Sequence, residues 1–163
     1  MLIMLSACAV FPTTSLPNAY SIATGKQPTS HGIVNNFMYH ETRKDVFVGA
    51  FDQKEQYWWT RAEPIWITAT NQKKKAHVSW WKGCELTYKT TKPAMCETFK
   101  DLSNGKGDKE LEEQLTEIVE HFANNRFDLA MVYYNAIGEI GESQSELRFK
   151  RQALITYLSS TLS

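Results

Sequence analysis

The chain of 163 residues has the length of one compact domain, and its 18 basic and 18 acidic side chains give a formal net charge of zero. An apolar fraction of 42% and a charged fraction of 22% are typical of a globular protein and exclude a disordered or collagen-like chain. The balanced charge, without an arginine-rich stripe, argues against nucleic acid as a partner.

The first eleven residues, MLIMLSACAVF, are an apolar run that contains a cysteine. Leu5-Ser6-Ala7-Cys8 resembles the lipobox of bacterial lipoproteins, in which a signal peptidase cuts before the cysteine and a lipid is attached to its thiol. The resemblance implies that residues 1–7 are the remnant of a signal peptide and that a lipidated Cys8 holds the chain at a membrane of the cell envelope. In such lipoproteins an Asp after the cysteine favours the inner membrane; because Ala9 stands there, the resemblance implies the outer membrane rather than the inner one.

The next segment, residues 8–31, is rich in Pro, Thr, Ser, Gly and Asn and has few large apolar side chains. This composition predicts a flexible tether between the lipid and the folded part. Residues 32–163 are then expected to form a single domain.

Residues 32–89 are rich in β-branched and aromatic side chains, which favours strands. The polar run 71–75 predicts a turn that pairs neighbouring strands as an antiparallel hairpin. The predicted strands cover residues 33–39, 46–51, 57–60, 64–70, 76–81 and 85–89.

The hydrophobic period changes in the last third of the chain. An apolar stripe that begins at Leu111 and reaches Phe122 predicts a helix over 108–122, capped by Asp108. A second helix is predicted over 127–137, and a third begins at 143 or 145 and ends near 158. Strands followed by helices indicate an α+β fold, in which two or three helices over about 108–160 pack on one face of an antiparallel sheet.

The three cysteines leave one pair after Cys8 is lipidated. A disulfide between Cys84 and Cys96 would stabilise the fold by about 2–3 kcal/mol, and two buried thiols are the alternative. The spacing contains no CxxC pair and no nearby histidine, so it does not indicate a metal site.

Five tryptophans lie between residues 58 and 81. Adjacent residues on a strand point to opposite faces, so one member of each Trp pair can enter the core while the other stays outside. The outer rings would form an aromatic platform for a sugar ring, a membrane interface or a protein partner, unless helices cover that face and all five are structural. The residues of this possible binding surface are Trp58, Trp59, Trp66, Trp80, Trp81, Lys73, Lys74, Lys75 and Lys82.

Catalytic and cofactor motifs are absent from the sequence: it contains no GxSxG elbow, HExxH helix, Walker loop or Rossmann glycine fingerprint. The sequence therefore predicts a non-catalytic envelope lipoprotein, without a cofactor, that binds another envelope protein as an accessory, exclusion or immunity factor. One alternative is a module that binds peptidoglycan or another glycan through the tryptophans. The other is a small periplasmic hydrolase.

Overall fold

The structure is a computed structural model that describes residues 8–49, 55–102 and 107–135. Helices and strands are mixed along the chain, which confirms the predicted α+β class. The elements are α1 (Ser15–Thr24), α2 (Pro28–His31), β1 (Phe37–His40), β2 (Asp45–Val48), a 3-10 turn (Gln56–Trp58), α3 (Ile65–Asn71), β3 (Ala76–Ser79), β4 (Met95–Glu97), α4 (Gly107–Ala123) and β5 (Leu129–Val132).

The first two strands form an antiparallel hairpin, in which Phe37 lies opposite Val48 and His40 lies opposite Asp45. Side chains alternate across it, so Phe47 is fully buried whereas its neighbour Val46 is exposed. This hairpin is the part of the predicted antiparallel sheet that the structure confirms.

The second sheet is parallel, with β3 between β4 and β5. Its third strand, Leu129–Val132, lies where a helix was predicted over 127–137, and that prediction is wrong. A short apolar run does not distinguish a strand from a buried helical turn by its period alone. Residues 129–132 form a strand because β3, which lies about fifty residues earlier in the sequence, offers them backbone hydrogen bonds along its edge.

The predicted hairpin of strands 64–70 and 76–81 is also wrong. Residues 65–71 form helix α3, which begins directly after Pro64 and buries Trp66 and Ile67. The predicted strand at 57–60 is replaced by the 3-10 turn. A parallel sheet needs crossover connections, and helices usually supply them.

Helix α4 confirms the helix predicted over 108–122, with bounds one residue wider at each end. It buries Leu111, Gln114 and Ile118 and leaves Val119 and Phe122 exposed. The third predicted helix, from 143 or 145 to 158, lies outside the described residues. Within the three described ranges, no helix is long and apolar enough to cross a membrane.

The flexible tether predicted for residues 8–31 is replaced over most of its length by α1 and α2, which pack on the core. Helix α1 buries Leu16, Tyr20 and Ala23, and the Tyr20 hydroxyl donates a hydrogen bond to the carbonyl of Trp59. The prediction was wrong because Pro and Gly residues, which are typical of a linker, also mark the first turn and the end of short helices.

Both helices have Pro in the first turn and Gly at the end. Pro17 lies in the first turn of α1 and Pro28 begins α2, where a missing N–H costs nothing. Gly25 and Gly32 end the two helices with φ of 65° and 87°, a conformation that glycine adopts without strain.

Candidate functional site

A cavity of about 650 Å³ lies between the N-terminus of α1 and the residues that follow the three parallel strands. The segments after β3, β4 and β5 contribute Trp81, Phe99 and Tyr133 to its wall, and Ser15 and Asn36 line the other side. Ligands of open sheets with parallel strands bind at this carboxyl edge, so the cavity is the candidate site.

Helix α1 places the hydroxyl of Ser15, its first residue, in the cavity wall. The preceding residue, Thr14, is extended and makes no side-chain cap. Asn36 caps the helix instead, since its Oδ1 accepts the Leu16 N–H at 3.0 Å while its Nδ2 donates to Ser15 Oγ at 3.1 Å. A side chain twenty-one residues away in sequence therefore holds both the hydroxyl and the helix terminus.

The loop before α1 is fixed by Asn18. Its Nδ2 donates to the carbonyls of Thr14 and Pro12 at 2.8 and 3.1 Å, and its Oδ1 accepts the Val10 N–H at 2.7 Å. These three bonds hold the hydroxyl-bearing residues before α1 against the first turn of the helix.

Gly49 joins the two sides of the cavity. Its N–H donates to the carbonyl of Asn36 at 2.7 Å, and its own carbonyl accepts a hydrogen bond from Lys82 Nζ. A Cβ atom at this position would lie 2.2 Å from Leu16 Cδ1, so the close approach to α1 requires glycine.

Two buried polar atoms of the cavity wall have no hydrogen-bond partner among the described residues: Thr14 Oγ1 and Trp81 Nε1. Buried polar atoms are normally paired, so both are candidates for contact with a ligand oxygen. The wall also carries the cation of Lys82, which lies 4.1 Å from the centre of the Phe99 ring, and the carboxylate of Asp101.

The predicted tryptophan platform does not exist, because all five rings are buried and the most exposed of them reaches only 8%. The two aromatic pairs lie on turns and not on a flat strand, so the strand-face argument does not apply to them. Trp59 and Trp81 do line the cavity, while Trp66 packs against Trp81 with ring centres 6.2 Å apart. A sugar-binding surface built on exposed tryptophans is therefore ruled out.

The predicted lysines do not gather in one place. Lys73, Lys74 and Lys75 are exposed on the turn after α3, where Lys74 pairs with Asp128 at 3.1 Å, and they do not line the cavity. Lys82 does line it.

The predicted disulfide between Cys84 and Cys96 is present, with Cα atoms 5.8 Å apart, and it ties the segment after β3 to β4. In the described ranges, the only cluster of three metal-ligating side chains is Cys84, Glu85 and Cys96, whose thiols the disulfide consumes. The third cysteine, Cys8, is exposed with a free thiol.

Sequence reasoning missed Ser15, Asn36 and Gly49. The signal for Ser15 is the run Thr13-Thr14-Ser15 just before Pro17, which is a helix start with three hydroxyls. Asn36 and Gly49 carry no comparable signal, because their roles arise from contacts distant in sequence.

Comparison with known proteins agrees with a site of this kind. Residues 6–152 match the family described as type I phosphodiesterase / nucleotide pyrophosphatase. The chain belongs to this family. Mouse ectonucleotide pyrophosphatase/phosphodiesterase family member 3 is 34% identical over 97 residues, which are 59% of this chain and 11% of that protein. The bis(5'-adenosyl)-triphosphatase of Xenopus laevis is 38% identical over 85 residues, which are 52% of this chain and 18% of that protein.

Solved structures of the family share the fold. Human ectonucleotide pyrophosphatase / phosphodiesterase 5 superposes with a TM-score of 0.76 at 22% identity, over 94% of this chain and 42% of that one. An inactive threonine-to-alanine variant of the murine protein, in complex with AMP, superposes with a TM-score of 0.69 at 23% identity, over 93% of this chain and 42% of that one. The chain thus spans less than half of these structures and less than a fifth of the curated relatives above.

Family membership corrects the functional interpretation of the sequence. The match covers residues 6–152, so the interpretation as a bacterial lipoprotein of no specific family is overturned. The prediction of a non-catalytic accessory, exclusion or immunity factor is likewise wrong, because the relatives are pyrophosphatases and phosphodiesterases. Of the alternatives considered, the small hydrolase agrees best with the family.

Proposed function

We propose that the chain carries the nucleophile-bearing part of an enzyme site that cleaves phosphodiester or pyrophosphate bonds of nucleotides, with Ser15 as the nucleophile. The observation that carries this proposal is the Ser15 hydroxyl at the first position of α1, held by Asn36 in the wall of the cavity. The inactive threonine-to-alanine variant of the murine relative supports it, because that protein loses activity with the loss of one hydroxyl side chain.

The electrostatics of the site suit a phosphate group. The first N–H groups of a helix have no partner within the helix and carry a partial positive charge, so a helix N-terminus binds anions. The Asn36 amide adds a donor beside Ser15, and Thr14 Oγ1 and Trp81 Nε1 supply two more unpartnered polar atoms. Donors placed in this way stabilise the charge that develops on phosphoryl oxygens during transfer.

The reaction would proceed in two steps, through a covalent intermediate on Ser15. Ser15 Oγ attacks phosphorus, forming the Oγ–P bond while the bond from phosphorus to the leaving oxygen breaks, and the leaving group takes up a proton. Water then cleaves the Oγ–P bond and restores the hydroxyl. Among the described residues, the hydrogen bonds of Ser15 Oγ are made to the Asn36 side chain.

A hydrolysis assay with the p-nitrophenyl ester of thymidine 5′-monophosphate tests the proposal. Replacing Ser15→Ala should lower kcat by about 10³-fold or more, as expected for loss of a nucleophile, while Ser15→Thr keeps a hydroxyl and retains measurable turnover. The matched control is Ser30→Ala, which removes an exposed hydroxyl on α2 and should leave kcat unchanged. Turnover by Ser15→Ala at the wild-type rate would contradict the proposal.

The disulfide supports a second proposal about where the protein works. We infer that the chain folds in an oxidising compartment, because disulfides such as Cys84–Cys96 persist there and are reduced in the cytosol.

A further inference from the structure

His31 is a fully buried polar residue that lies outside the cavity wall and has no part in the chemistry proposed above. It is the last residue of α2, and it lies between α1 and the segment that leads to Asn36. Its ring meets the ring of Tyr20 on α1 edge to face, with centres 5.3 Å apart.

The hydrogen bonds of His31 define which ring nitrogen carries the proton. The Ile33 N–H donates to Nδ1 at 3.1 Å, so Nδ1 is an acceptor and the proton is on Nε2. Nε2 lies 3.0 Å from Ser21 Oγ, so it donates to that hydroxyl. Burial lowers the pKa of His31, which keeps this neutral form in place.

The segment 31–36 is therefore attached to α1 at two points. His31 binds it near Ser21, and Asn36 binds it at Ser15 and Leu16. Ser21 is the sixth residue after Ser15, which is about 9 Å along the helix axis. Two attachments at this separation fix the direction of the helix, together with its packing on the core through Leu16, Tyr20 and Ala23.

We propose that His31 is a positioning residue for Ser15: it holds α1 at the orientation in which Asn36 can cap the helix and hold the hydroxyl. The assignment of Ser15 as the group being positioned rests on the function proposed above. The two-point attachment itself rests on the contacts of His31 and Asn36.

Amide hydrogen exchange of Leu16, whose N–H is bonded to Asn36, tests the attachment without any assay of activity. Measured relative to the amide of Ile118 in α4, Leu16 exchange should rise about tenfold in His31→Leu, which removes both ring hydrogen bonds. His31→Gln, which keeps an amide N–H toward α1, should restore part of the protection. If His31→Leu does not fold, the milder Ser21→Ala should raise Leu16 exchange in the same direction.

The kinetic arm uses the same variants. His31→Leu should lower kcat about tenfold with KM within about twofold, and His31→Gln should recover part of it. Leu111→Val, which shortens a buried side chain of α4 outside the cavity wall, lowers stability and should change neither Leu16 exchange nor kcat. Unchanged Leu16 exchange in His31→Leu, a uniform rise in all amides, or unchanged kcat despite faster Leu16 exchange would overturn the proposal. If the wild-type chain hydrolyses no phosphodiester, the proposed function fails, while Leu16 exchange still decides whether His31 positions α1.

Discussion

The substitution Gly49→Ala should lower kcat strongly while it lowers the free energy of unfolding only moderately. A Cβ atom there would lie 2.2 Å from Leu16 Cδ1 and 3.1 Å from the carbonyl oxygen of Asn36. Carbon atoms in contact prefer about 3.5–4.0 Å, so the overlap with Leu16 is roughly 1.5 Å. Because Leu16 is buried, its side chain has little space to rotate away, and the first turn of α1 has to shift relative to Asn36.

The magnitudes follow from that overlap. Adding one methyl group to a packed site lowers the free energy of unfolding by about 1–3 kcal/mol. A displacement of about 1 Å between reacting groups lowers kcat by about 100-fold, and Ser15 precedes Leu16 directly. Thermal denaturation and hydrolysis of a nucleotide p-nitrophenyl ester measure the two effects separately.

Gly25→Ala is the matched control, because it also changes a glycine next to α1, at the end of the helix away from Ser15. Gly25 has φ of 65°, so alanine there is strained by about 1 kcal/mol, but nothing lies within 4 Å of the added Cβ. It should therefore lower stability and leave kcat near the wild-type value. If Gly49→Ala and Gly25→Ala lower kcat equally at matched stability, Gly49 has no special part in shaping the site.

Three further predictions concern stability. Because burial lowers the pKa of His31, the unfolded chain binds a proton that the folded chain excludes, so the free energy of unfolding should fall as the pH drops below about 6.5. Measured by urea denaturation between about pH 5 and 8, the free energy of unfolding should depend less on pH in His31→Gln than in the wild type. An identical pH dependence in the two proteins would refute this. Replacing Cys84 and Cys96 together by Ser should cost about 2–3 kcal/mol in the same measurement, and no change in the denaturation midpoint would contradict it. Gln114→Leu removes the amide that donates to Glu97 at 2.7 Å and should cost about 1–3 kcal/mol; a more stable variant would show that this polar cluster adds no stability.

The sequence predicts the features that depend on local pattern. Helix α4 is recognised because its apolar residues repeat with the helical period, and the strands β1 and β2 because β-branched and aromatic residues fill both of them. The Cys84–Cys96 disulfide is confirmed, although the lipidation of Cys8 that singled out this pair is not supported by the family match. These features require no knowledge of what lies next to them in space.

The rest depends on contacts that no local pattern contains. The strand at 129–132 is a strand because β3 offers it an edge, and α3 is a helix although its residues alternate as in a strand. The site is assembled from Ser15, Asn36 and Gly49, which are joined by one side-chain cap and one backbone hydrogen bond. Ser15 lies in a segment whose polar composition predicts a flexible tether, so composition alone does not identify it.

The most direct test of the central claim is the mass of the peptide that contains Ser15 after acid quenching during turnover of the p-nitrophenyl ester of thymidine 5′-monophosphate. The proposed function predicts a mass increase equal to one thymidylyl group on Ser15, absent in Ser15→Ala. Turnover without an adduct, or an adduct on Thr13 or Thr14 instead, would show that Ser15 is not the nucleophile.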